Sequence, residues 1–236
     1  MESLKDKVVV VIGASSGIGR VTAGLFAKEG ARVMASARRE ERLRTLQAET
    51  GVEVFAADAT KPDDMARLMQ QTRVLLGPID ILVYVTGDNT PDRSLKRLTP
   101  SIWDAMVSVN LNGAFYATHA VLPGMRERGA GLLIYVVSVS ALAADISGAA
   151  YQAAKRGVLG LAHAVRFEEK ANGIRTSAVC PGLVETEILE KRPVKVAPEV
   201  LAKALQPIDV AEAVVGVAKM PARATVLELH IVPSAL

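Results

Sequence analysis

Apolar positions along the chain gather into short solid runs, and these alternate with longer amphipathic stretches. Residues 8–12, Val-Val-Val-Val-Ile, form one unbroken run. A run that short, bounded by polar residues, is the mark of a strand buried on both faces. Residues 17–29 then read as a helix, with Gly30 as its C-terminal glycine. The same alternation predicts strands at 32–36, 52–56, 79–85, 132–137, 174–179 and 226–232. Helices are predicted at 40–50, 62–76, from 100 towards 128, at 149–171 and at 208–220. Thr60 with Asp63 reads as a capping box for the helix at 62–76. Thr99-Pro100 reads as another helix start, with proline in the first turn where no amide donor is lost.

Strand and helix in strict alternation imply a parallel sheet covered by helices on both faces. The expected fold is α/β: a doubly wound parallel sheet of Rossmann type with about seven strands. No fixed-period repeat, low-complexity tract or linker divides the chain, so one domain over 1–236 is expected. The irregular stretch 183–206, with Pro193, Pro198 and mixed charge, reads as a surface flap over substrate. Its acids and bases (Glu185, Glu187, Glu190, Lys191, Arg192) read as a solvated surface.

Composition narrows the function. Half of the 236 residues are apolar, enough for a large core. No run of about 18 apolar residues exists, so no membrane span is expected. Residues 1–7 carry Glu2, Lys5, Asp6 and Lys7, too much charge for a signal peptide. Cys180 is the single cysteine, which rules out an internal disulfide and suits the cytoplasm. A net charge of +3, scattered basic residues and 4% aromatics give no nucleic-acid footprint. His119, His163 and His230 lack metal-ligand spacing, so no metal is expected.

The first strand leads into Gly13-Ala14-Ser15-Ser16-Gly17-Ile18-Gly19, and a helix follows. In such a turn one glycine makes the bend. Another lets the backbone approach a pyrophosphate lying on the helix N-terminus. An ordinary tight turn is the alternative, and the absence of Gly-Lys-Ser/Thr excludes a P-loop. After the second strand come Arg38 and Arg39, with no acid before Glu40. A carboxylate there would hold both ribose hydroxyls of NAD; an arginine can fork onto the 2′-phosphate of NADP. NADP(H) is therefore the expected cofactor, with NAD(H) as the alternative.

Tyr151 and Lys155 lie four apart on a predicted helix and share one face. Ser138 follows the fifth strand, thirteen residues before Tyr151. Carbonyl reduction needs such a set. Hydride arriving at carbon builds negative charge on oxygen, which calls for a proton donor and a hydrogen-bond donor. A free phenol titrates near ~10 and must drop by roughly three units to work near neutrality. A cation about 4 Å away supplies on the order of 4 kcal/mol at an effective dielectric near 20. Lys155 is expected to be that cation.

Taken together, the chain resembles the short-chain dehydrogenases/reductases. Gly13–Gly19, Asp58, Asn110 in Val109-Asn110-Leu111, Ser138, Tyr151-x-x-x-Lys155 and Pro181-Gly182 carry the resemblance, in the family's order over nearly the whole chain. It implies Tyr151 as general acid/base, Lys155 also on the nicotinamide ribose, and Ser138 orienting substrate. It implies that Asn110 helps hold a water linking Lys155 to solvent. Asp58 and Ala59 would line the adenine, and Gly87, Pro181, Gly182 and Thr186 would complete the cofactor site. A homo-oligomer, tetramer or dimer, built on the two long helices is also implied. Three departures stand out: Ile12 where the family has threonine, Tyr84-Val85-Thr86-Gly87 where it has Asn-Asn-Ala-Gly, and a short C-terminal end. In the family these first two segments are neighbours on adjacent strands, so the loss of both polar sides together suggests a repacked sheet floor. The expected function is hydride transfer between a nicotinamide cofactor and a small carbonyl/alcohol pair. A catalytically quiet NADP-binding regulator or scaffold, or an epimerase/dehydratase, are the alternatives. Leu142, Ile146, Leu183 and Ile188 point to a partly nonpolar substrate.

Overall fold

The computed structural model describes residues 1–235. β1 (Val8–Ile12) leads through α1 (Gly17–Lys28) to β2 (Arg32–Ala37), α2 (Glu40–Thr50) and β3 (Glu53–Ala56). α3 (Pro62–Leu76), β4 (Ile81–Tyr84), α4 (Pro100–Val107), α5 (Gly113–Arg128) and β5 (Gly131–Val136) follow. The chain closes with α6 (Ala149–Glu169), β6 (Ile174–Pro181), α7 (Pro198–Leu201), α8 (Pro207–Ala218) and β7 (Glu228–Ile231). The seven strands form one sheet in the order β3-β2-β1-β4-β5-β6-β7, and every pairing is parallel.

Burial explains the apolar runs. All five residues of β1 are buried, with successive side chains on opposite faces. Val9 and Val11 pack with Phe26, Leu43, Leu46 and Val214 on the side of α1, α2 and α8. Val8, Val10 and Ile12 pack with Met65, Leu68, Val121 and Val158 on the side of α3, α5 and α6. The strand order reverses between β1 and β4, so the loops after these two strands diverge and open a crevice.

Four details differ from the sequence reading. The capping box at Thr60 does not form. Thr60 instead donates its N–H (3.0 Å) and its hydroxyl (2.8 Å) to Asp58, and Lys61 caps α3 without a side-chain bond. A carboxylate two residues away competes better for Thr60 than the helix end does. The long helix predicted from 100 to 128 contains a π-helical turn, Ser108–Asn112, between α4 and α5. Two carbonyls near this turn are taken by side chains: Met106 O accepts from Asn110 Nδ2 (2.9 Å), and Val109 O from the Tyr84 hydroxyl (2.9 Å). The predicted last strand is longer than β7, and the final turn of α6 continues as a 3₁₀ turn, Lys170–Asn172.

The stretch 183–206 leaves and rejoins the body at one place. Leu205 N–H donates to Leu183 O (2.9 Å), and Glu185 N–H to Leu205 O (2.8 Å). Between these pinned ends lie a 3₁₀ turn, Glu187–Lys191, and α7. No helix among the described residues is long and apolar enough to cross a membrane.

Candidate active site

A cleft of about 620 Å³ lies over the carboxyl ends of the strands. Every cofactor-binding residue expected from the sequence lines it, as do Ser138, Tyr151 and Lys155. Asn110 does not; it is fully buried behind Gly87.

The nucleotide end is shaped by glycines. Gly13 has φ +100°, and a Cβ there would meet Thr86 N at 2.8 Å. A Cβ on Gly19 would run into the Gly13 carbonyl, so the turn closes tightly under α1. Ser16 precedes α1 without a side-chain cap bond. The first amides of the helix are therefore free to meet an anion. Asp58 sits on the cleft wall. Burial works its carboxyl upward, but the N–H and hydroxyl of Thr60, with Arg38 and Lys61, hold it below its ordinary value.

Arg39 faces this end. Its guanidinium donates to Ser15 Oγ (2.9 and 3.1 Å), to Ser16 Oγ (2.7 Å) and to Glu187 of the flap (2.9 Å). Arg42 of α2 pairs with the other oxygen of Glu187. The two arginines hold the Glu187 carboxyl down to about 2. Glu187 is thus no bystander on a solvated surface, as the sequence suggested. It bridges two cations that lie 148 and 145 residues before it in the chain, a contact only the fold supplies. Arg38 lines the same wall.

At the other end, α6 presents Tyr151 and Lys155. Lys155 is 3% exposed; its Nζ donates to Val136 O (3.3 Å) and lies 5.7 Å from the centre of the Tyr151 ring. Burial brings the ammonium down to about 8. Burial also pushes the Tyr151 phenol up to about 12, against the lowering effect of the Ser138 hydroxyl; Asp145 raises it further and Arg93 lowers it. This corrects the expectation that Lys155 brings the phenol towards neutrality: in the protein alone desolvation wins. Ser138 Oγ accepts from Ser140 N–H (3.1 Å) and donates to Ser140 Oγ (3.1 Å). Ser140 in turn donates to Asp145 (2.5 Å).

Asn110 holds the loop after β4. Its Oδ1 accepts from Asp88 N–H (3.1 Å), and its Nδ2 donates to Asp88 O (3.0 Å). A Cβ on Gly87 would lie 3.2 Å from Lys155 Nζ and 3.3 Å from Asn110 Oδ1, so glycine lets both groups converge there.

The altered sheet floor is satisfied. Ile12 and Tyr84 are register partners, 2% and 1% exposed. The Tyr84 hydroxyl reaches Val109 O over Gly113, where any Cβ would collide with it. Burial holds its phenol well above the ordinary value.

Sequence reasoning passed over Arg93 and Arg42, and read Lys191 only as part of a solvated flap surface. Arg93 is 8% exposed and lines the cleft; its Nε donates to Thr90 O (2.9 Å) and its Nη2 to Lys191 O (2.8 Å). Lys191 pairs with Asp88 at 2.5 Å. No spacing rule flags these residues, because they come from a loop, a helix and a flap that meet only in the fold.

A doubly wound sheet, a glycine turn at its switch point and a cleft-facing tyrosine with a buried lysine beside a serine define a nicotinamide-nucleotide oxidoreductase. The model of the short chain dehydrogenase family matches residues 7–196. The chain belongs to this family, the short-chain dehydrogenases/reductases, and is an NAD(P)-dependent oxidoreductase. It is 35% identical over 243 residues to an uncharacterized oxidoreductase of Staphylococcus saprophyticus, across 99% of this chain and 98% of the relative. Among solved structures it is similar to an actinorhodin polyketide ketoreductase with NADPH: TM-score 0.88, 32% identity, 99% of this chain and 98% of that one. A structure described as ribose-5-phosphate isomerase of Brucella melitensis superposes with TM-score 0.92 at 26% identity, over 98% of this chain and 92% of that one.

Proposed function

We propose that the protein reduces a small carbonyl compound with NADPH, or runs the reverse oxidation, with Tyr151 as proton donor and acceptor. The observation that carries this reading is the meeting of Ser138, Tyr151 and Lys155 in the cleft that begins at the glycine turn. The cofactor fits the residues present. Gly13 and Gly19 leave no room for side chains at the turn, the α1 amides are uncapped, and Arg38 and Arg39 line the cleft, with Arg39 on Ser15 and Ser16. That cluster favours a 2′-phosphate over a bare ribose. NADPH-bound relatives such as the ketoreductase support the same choice.

The nicotinamide, when bound, supplies or takes the hydride. The chain's own residues manage the oxygen. Ser138 donates a hydrogen bond to the carbonyl oxygen and steadies its growing charge. Tyr151, half-buried in the cleft wall and raised to about 12 by desolvation, stays protonated at neutral pH and gives its proton to that oxygen. Lys155 stabilises the phenolate left behind. Asn110 fixes the loop that carries Gly87, and Gly87 leaves space for the lysine. The flap latched by Glu187 and Lys191 excludes water. The single buried Cys180 suits the cytoplasm, and exposed Phe115 on α5 and Phe167 on α6 support assembly of copies through these helices.

The test follows NADPH absorbance near 340 nm with a panel of ketones, quinones and 3-oxoacyl thioesters. Wild type consumes NADPH with at least one of them, and Tyr151→Phe loses on the order of 10³-fold while still binding NADPH. Tight NADPH binding with no turnover on any substrate would establish a regulator instead. Turnover untouched by the substitution would remove Tyr151 from the chemistry.

A further inference from the structure

Arg93 is charged, 8% exposed, and has no carboxylate within ion-pairing distance among the described residues. Its two hydrogen-bond partners, the carbonyls of Thr90 and Lys191, are neutral, and its Nη1 has no partner among the described residues. A guanidinium cannot shed its proton, and a buried charge without a counter-charge is strongly unfavourable. Arg192 of the flap makes this worse. It lines the same part of the cleft, works against the charge on Arg93, and also forms no ion pair among the described residues.

The nearby acids are engaged elsewhere. Asp88 is taken by Lys191, and Glu187 by Arg39 and Arg42. Asp145 is the one carboxylate whose field reaches both Arg93 and Tyr151, and it already accepts from Ser140 and from Ser147 N–H (2.8 Å). Arg93 is therefore acted on by one like charge, Arg192, and one carboxylate, Asp145, and of these three charges one positive stays uncompensated. The place is built: a Cβ on Gly148 would meet the carbonyl of Arg93 at 2.5 Å, so glycine there lets the Arg93 backbone pack close.

We propose that Arg93 and Arg192 form an anion subsite at the substrate end of the cleft, and that the substrate is an oxo acid or hydroxy acid. Its carbonyl or hydroxyl meets Tyr151 and Ser138 while its carboxylate completes the charge balance of the two arginines. One uncompensated charge suits a monoanion, hence a carboxylate and not a dianionic phosphate. Because Arg192 lies in the flap and Arg93 holds the flap through Lys191 O, the same anion tightens closure. This assignment rests on the reading of Tyr151 as proton donor.

The test is calorimetric titration of NADP⁺-loaded protein with 3-hydroxybutanoate and with its neutral amide, 3-hydroxybutanamide. Wild type binds the acid at least tenfold more tightly. Arg93→Gln erases that preference, and Arg192→Gln, which removes no hydrogen bond seen here, lowers it several-fold. Should the first variant not fold, the second decides. Equal affinities in wild type, no binding of the acid, or a preference intact in Arg192→Gln overturns the subsite. Inorganic phosphate binding more tightly than the acid overturns the monoanion assignment. Tyr151→Phe keeps the preference for the acid while losing turnover, so failure of the subsite is distinct from failure of the catalytic reading.

Discussion

At the scale of single residues, two buried side chains set the terms. Tyr84 stands where the family has asparagine, and its hydroxyl satisfies the Val109 carbonyl beside the π-helical turn. Tyr84→Phe removes that buried hydrogen bond, so it costs about 1 kcal/mol of stability in urea unfolding, with little change in NADPH affinity. Lys155 runs the other way. Its ammonium lies at about 8 in the folded protein against an ordinary 10.5. A depressed base penalises folding at every pH below about 8, and the penalty fades as pH rises towards 10.5. Lys155→Met therefore gains up to about 3 kcal/mol at pH 7 while abolishing turnover, and the gain shrinks by pH 10. A variant less stable than wild type at pH 7 would show that the lysine's contacts outweigh its desolvation. Tyr151, Lys155 and Ser138 were legible in the sequence because helical spacing alone puts the first two on one face. Their proton affinities were not, since burial is a property of the assembled cleft.

At the scale of elements, the flap is tied down at both ends of the cleft. Glu187 joins it to Arg39 and Arg42, and Lys191 joins it to Asp88. Glu187 thereby occupies Arg39, a cation of the cleft that a 2′-phosphate would use. Its carboxyl is lowered to about 2, so the link is complete above the ordinary carboxylate range and is lost only as pH falls through about 2. Glu187→Gln removes the competitor: the NADPH dissociation constant falls several-fold while that of NADH holds. Equal changes for both would mean that Arg39 does not meet the phosphate. Apolar periodicity gave the strands and long helices to within a few residues. It missed the π-helical turn, where Asn110 within the turn bonds Met106 O and Tyr84 from β4 bonds Val109 O. It also missed Arg93, whose meaning depends on the flap that covers it.

At the scale of the whole molecule, one sheet organises the chemistry. Its order reverses between β1 and β4, which opens the crevice, and the strand ends deliver the glycine turn, Gly87, Ser138 and Gly182 to the same cleft. The chain order of strands and helices made this layout readable, because parallel crossovers leave few topologies. The central claim is that the Tyr151 phenol is raised by desolvation in the free protein, and that an oxidised nicotinamide, when bound, would add its positive charge to that of Lys155 and lower it. ¹³Cζ-tyrosine NMR can follow Tyr151 through a pH titration, assigned with Tyr151→Phe, in free and NADP⁺-loaded protein. The account predicts a phenol titrating above 10 in the free protein and several units lower in the complex. A Tyr151 that still titrates above 10 with NADP⁺ bound would contradict it.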